Sequence, residues 1–119
     1  MAKLTVYEYP QCGTCRKAKK FFDEHGVAYE TVHIVNNPPS KAQLKQLLDK
    51  SGLEIKKFFN TSGKVYREQG LKDKIPELSE DELLELLASE GKLIKRPIVT
   101  DGDRVTVGFK EDAFKRTWL

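Results

Sequence analysis

The opening segment, Leu4-Thr5-Val6-Tyr7-Glu8-Tyr9, alternates in polarity and is rich in β-branched and aromatic residues, which predicts a strand that Pro10 ends. From about residue 15 to residue 25 the period changes. Ala18, Phe21 and Phe22 fall at i, i+3 and i+4, while Lys17, Lys20 and Glu24 point elsewhere, so this stretch predicts an amphipathic helix. Gly26 is placed to terminate it, with His25 beside the helix C-terminus. A second strand fits residues 28–34. Strand, helix and strand in this order make a βαβ unit, whose two strands should run parallel.

The middle of the chain is helical. Asn36-Asn37-Pro38-Pro39 reads as a loop, and Ser40 caps a helix carrying Leu44, Leu47 and Leu48 that Ser51-Gly52 ends. Residues 54–75 hold shorter helical pieces around Ile55, Phe58, Phe59, Val65, Tyr66 and Leu71. Ser79 followed by Glu82 matches a capping box at the start of a helix with Leu83, Leu84, Leu86 and Leu87, and Gly91 is expected to close it.

Towards the end, residues 97–100 and 104–107 predict two short strands about Asp101-Gly102-Asp103, a hairpin signal, and residues 110–116 a last helix with Phe114 and Trp118 turned inward. Together these elements give β-α-β, a block of helices, then β-β-α. The expected architecture is α/β and thioredoxin-like: a four-stranded mixed sheet from residues 1–36 and 94–119, with residues 37–93 as a helical insertion, all in one domain.

Composition narrows the function. The chain has 119 residues, enough for one core, and no apolar run of the length a membrane span requires. Its first six residues show no long apolar stretch and no small-residue cleavage site, so no secretory signal is expected and a cytoplasmic location is. The net charge is +3, spread as +1 over residues 1–36, 0 over 37–93 and +2 over 94–119. That balance gives no argument for direct nucleic-acid binding. Nothing in it demands a partner chain, and a monomer is expected.

Both cysteines lie in one motif, Cys12-Gly13-Thr14-Cys15. Cys12 sits where the strand gives way to the helix, whose unpaired N–H groups and macrodipole favour a thiolate. Arg16 and Lys17 add positive charge in the next turn, so the Cys12 pKa is expected below the free value of about 8.5. Cys12 is thus the candidate nucleophile. Cys15, about one helical turn on, is the candidate resolving thiol. Two other readings stand beside this one. A C-x-x-C pair is half of a zinc site, but no second pair exists and His25 and His33 lack ligand spacing. The two cysteines could also be inert small core residues, a reading that fits Cys15 better than Cys12. No cofactor is expected, since there is no G-x-G-x-x-G and no metal-ligand cluster.

The motif Cys12-Gly13-Thr14-Cys15-Arg16-Lys17-Ala18, the loop Asn37-Pro38-Pro39 and Arg96-Pro97-Ile98 together resemble the arsenate reductase-like family, and within it the Spx/MgsR branch. The resemblance continues through residues 58–63, Tyr66-Arg67-Glu68 and residues 108–112. It implies a thioredoxin-like fold with an inserted helical region. It places the family's nucleophile on Cys12, and a disulfide switch, as in Spx-like proteins, on Cys12 and Cys15. It also implies a cis proline, Pro97, opposite the active cysteine, which would bring Arg96 toward Cys12. Arsenate reductases of the family hold the oxyanion with three arginines. Here Arg96 matches one, Asn60 stands in the segment of the second, and only Lys110 is near the third. A forked guanidinium clamp is therefore incomplete, which argues against efficient arsenate reduction.

Two functions follow as expectations. In the first, the protein is a thiol oxidoreductase: Cys12 attacks a disulfide or an oxyanion, Cys15 resolves the adduct, and a thioredoxin- or glutathione-type system restores the thiols. The anionic part of the substrate would be held by the backbone of Gly13 and Thr14 with Arg16 and Arg96. In the second, the pair is a redox sensor on a regulator that binds the RNA polymerase α subunit, with Gly52 near the contact that Spx-type proteins use. Gly52 also reads simply as a helix cap.

Overall fold

A computed structural model describes residues 4–9, 12–61 and 63–119. Pro10, expected to end the first strand, lies outside the described residues. The strands are β1 (Leu4–Glu8), β2 (Tyr29–His33), β3 (Ile98–Thr100) and β4 (Val105–Val107). They form one mixed sheet in the order β2-β1-β3-β4. β1 pairs parallel with β2, from Leu4 opposite Tyr29 to Glu8 opposite His33, and antiparallel with β3, where Val6 faces Val99. The expected thioredoxin-like α/β fold is the one observed.

The period of two along β1 sends Leu4, Val6 and Glu8 to one face of the sheet, all buried. There they meet α1 (Gly13–Glu24) and α6 (Glu111–Trp118). Ala18, Phe21 and Phe22 from α1 and Phe114 and Trp118 from α6 complete this core. The Phe22 and Phe114 rings stack at 5.2 Å, and Phe21 meets Phe114 edge-on at 5.6 Å. Such contacts fix the axis of α1, and with it the turn that carries the cysteines. Among the described residues Glu8 is the one buried charged residue in this layer, 4% exposed, and Lys19 of α1 pairs with it at 2.8 Å.

The opposite face of the sheet is covered by the helical region. α2 (Lys41–Ser51) and α5 (Glu80–Ser89) pack their leucines together, and the shorter α3 (Lys64–Glu68) and α4 (Leu71–Lys74) lie between them in sequence. Both longer helices open with full capping boxes, Ser40 with Gln43 and Ser79 with Glu82. Gly52 caps α2 at φ 69°, a left-handed conformation that other residues resist.

One sequence expectation needs correcting. Gly91 does not close α5, which already ends at Ser89; it opens a 3₁₀ turn, Gly91–Leu93. The reason for glycine is a close approach between two segments of the chain. A Cβ there would lie 2.2 Å from the Ile34 carbonyl oxygen. This contact seats the segment 91–96 against the end of β2. Two further hydrogen bonds tie it to the insertion, Asn60 N–H to the Leu93 carbonyl and Lys95 N–H to the Phe58 carbonyl, each 2.7 Å.

Candidate functional site

The site begins with a capping interaction. Cys12 is extended (φ −83°, ψ 119°) and is the N-cap of α1, its sulfur accepting the Cys15 backbone N–H at 3.4 Å. Its own N–H donates to the Tyr9 carbonyl at 2.9 Å, which anchors the turn to the end of β1. The role usually taken by a Ser or Asp oxygen is thus taken by a sulfur, and a thiolate fills it better than a thiol. Cys12 is partly exposed, whereas Cys15 is fully buried on the inner face of α1, and both are free thiols.

The two sulfurs are driven in opposite directions. Burial pushes the Cys12 thiol up, but hydrogen bonds from the Cys15 thiol and backbone and from Arg96, with the Arg96 charge, outweigh it and bring the group below its ordinary value. Burial pushes Cys15 up to about 12, and the adjacent Cys12 reinforces this against the Tyr9 backbone and Arg96. Two groups whose environments separate them in this way suit an attacking thiolate and a reserve thiol.

Arg96 reaches the site from the turn before β3. The Arg96–Pro97 bond is cis, as the family resemblance implied. Its guanidinium lies over the Tyr9 ring, 5.0 Å from the centroid, and one terminal nitrogen donates to the Lys92 carbonyl at 3.3 Å. Its Nε is buried with no hydrogen-bond partner among the described residues. A buried guanidinium N–H without an acceptor, beside the Cys12 sulfur, is suited to an anionic group.

Cys12, Thr14 and Arg96 line one cleft of about 430 Å³ together with Asn60, Lys95 and Lys110. Gly13 and Arg16 are exposed on α1 and are not among the lining residues. Asn60 and Lys110, at or near the segments where the family resemblance placed two further arginines, do face this cleft. Sequence reasoning did not find Tyr9 or Lys95. The alternation of β1 extended to Tyr9 but carried no hint of a cation above its ring. The histidines have local roles: His33 Nδ1 accepts the N–H groups of Val35 and Asn36 at 3.2 and 3.0 Å, and His25 Nδ1 is 2.8 Å from the Phe21 carbonyl oxygen. Among the described residues, no group of three His, Cys, Asp or Glu could hold a metal ion.

Residues 7–117 match the ArsC family. The chain belongs to that family. It is 64% identical over 115 residues to YusI of Bacillus subtilis, covering 97% of this chain and 98% of that protein. It is also similar to the crystal structure of an ArsC-family-related protein from Bacteroides fragilis, with 45% identity, a TM-score of 0.93 and 96% of each chain covered. The global transcriptional regulator Spx of Streptococcus agalactiae is 34% identical over 112 residues, 94% of this chain and 80% of that one. Within this ArsC-family protein no described helix is long and apolar enough to cross a membrane.

Proposed function

We propose that the protein is a cytoplasmic thiol oxidoreductase that reduces disulfides through Cys12 and Cys15. The Cys12 thiolate attacks one sulfur of the substrate R–S–S–R, forming Cys12–S–S–R and expelling the first thiolate. Cys15 then loses its proton to solvent, attacks the Cys12 sulfur and expels the second. The substrate gains two electrons and becomes two thiols, while the protein dithiol becomes a disulfide. A dithiol reductant of the thioredoxin type, or a glutathione-type system, reverses the change. The observation that carries this reading is the Cys12 sulfur held between Cys15 and Arg96 on the wall of an open cleft.

Arsenate is a poorer candidate substrate, because Asn60 and the point charge of Lys110 do not reproduce forked guanidinium contacts. The test is the reaction of prereduced protein with hydroxyethyl disulfide. The wild type should release two thiols per chain, Cys12→Ser none, and Cys15→Ser one, retaining a stable adduct. Failure of the wild type to be oxidised overturns the proposal.

The similarity to Spx favours a second reading, in which the same pair is a sensor and the chain docks on the RNA polymerase α subunit. A pull-down with that subunit tests it: binding in one redox state alone supports the regulator, and no binding in either state removes it.

A further inference from the structure

The cleft beside Cys12 does not stop at the cysteine turn. It shares Lys95, Val107 and Lys110 with a second hollow of about 660 Å³ that runs under the insertion. The floor of that hollow is apolar, from Phe59, Tyr66 and Ile75, and its edge carries Lys56, Lys57 and Lys72. With Lys95, Lys110 and Arg96, six cations among the described residues line the joined groove, and no described Asp or Glu lines either part.

Most of the charge there is unpaired. On the α2–α5 surface Lys41 pairs with Asp81 and Glu85, and Lys45 with Asp49 and Glu80. In the groove Lys56 meets Glu54 at 3.4 Å, but Lys57, Lys72, Lys95 and Lys110 form no ion pair among the described residues. A chain with a net charge of only +3 has therefore gathered like charges along one concave surface that leads to its nucleophile. Like charges held together without counterions repel one another, and a bound anion relieves the repulsion. Hollows of these sizes fall in the range of small-molecule sites, roughly 300–1,000 Å³.

We propose that the substrate is a low-molecular-weight disulfide with an anionic tail, its sulfur at Cys12 and its carboxylate or similar groups along Lys57, Lys72, Lys95 and Lys110. This rests on the oxidoreductase reading and adds the substrate class to it. Cys12 and Cys15 react as described above. The groove supplies orientation and a local concentration of the anionic disulfide.

The test is the second-order oxidation rate of prereduced protein by three disulfides: dithiodipropionate (anionic), hydroxyethyl disulfide (neutral) and cystamine (cationic). Each rate is divided by that disulfide's rate with mercaptoethanol, which removes intrinsic reactivity. The anionic probe should then exceed the neutral one by about tenfold or more at low salt, with cystamine slowest, since charged clefts raise encounter rates by roughly 10–10³. The preference should shrink as salt is added. In a Lys57→Gln/Lys72→Gln variant the anionic-to-neutral ratio should fall at least about threefold, a part of that same electrostatic gain. A Lys20→Gln/Lys115→Gln control, with the same loss of charge, should keep the ratio. Equal normalised rates for the three probes, or an equal fall in both variants, overturns the groove while leaving the oxidoreductase intact. No reaction with any of the three probes overturns both.

Discussion

In the proposed reaction, the opposed settings of the two thiols make resolution by Cys15 the pH-sensitive step. Cys15 titrates near 12 against an ordinary 9.0, and burial is the largest cause. Once Cys12 is in a mixed disulfide its negative charge is gone, so that contribution vanishes while the burial remains. A thiol raised to about 12 from 9.0 carries about a thousandfold less thiolate at neutral pH, which is the upper bound for the adduct, where the Cys12 contribution is gone. Each thiolate is in turn about twentyfold more nucleophilic, from a Brønsted slope of about 0.4–0.5. Resolution should therefore run up to about fiftyfold slower than with an unperturbed thiol in the same place. Prereduced protein would be mixed with hydroxyethyl disulfide, quenched with acid, and its adduct and oxidised forms counted by intact-mass spectrometry. Adduct formation should rise with pH and level off below pH 9.0, because Cys12 titrates below that value. Resolution should keep rising by about tenfold per pH unit up to about pH 10, the slope of a single deprotonation. The adduct thus accumulates at neutral pH and disappears in alkali. A resolution rate that is flat between about pH 7 and pH 9 would refute the reasoning, because Cys15 would then not be a buried, protonated thiol.

Removing Arg96 takes away both a hydrogen bond and a charge that favour the Cys12 thiolate. Arg96→Ala should move the midpoint of iodoacetamide alkylation against pH upward, and an unchanged midpoint would show that the helix turn alone sets it. Gly91→Ala forces a Cβ against the Ile34 carbonyl and should cost about 1–3 kcal/mol, as overpacking does. Urea unfolding would show this as a lower midpoint with an unchanged slope. Ser79→Ala removes the cap of α5 and should cost about 1 kcal/mol in the same assay; no loss would mean that the α5 cap does not contribute to stability.

Local rules made much of this fold legible. The alternation of β1, the apolar stripe of α1 and the Ser79–Glu82 box are each set by a few neighbouring residues, and each is present. The cysteine turn was legible for the same reason. What escaped depends on chain segments far apart in sequence. Gly91 looks like a helix stop when only its neighbours are considered, yet its glycine is required by Ile34, more than fifty positions earlier. Glu8 follows Leu4 and Val6 inward by the period of two, but its partner Lys19 belongs to another element. The cleft is the extreme case: Cys12, Asn60, Lys95 and Lys110 come from four separate segments, and no pattern of spacing unites them.

The hydrogen bonds that join Phe58 and Asn60 to Leu93 and Lys95 have a consequence for how such proteins diversify. They suspend the outer wall of the cleft from the helical region, while the reactive sulfur hangs from β1 and α1. The attacking group and the surface that greets its target are thereby separate inheritances. On the proposed function, substitutions in residues 56–72 can alter what approaches without replacing Cys12, Cys15 or Arg96. On that reading, one cysteine turn can be fitted to different substrates.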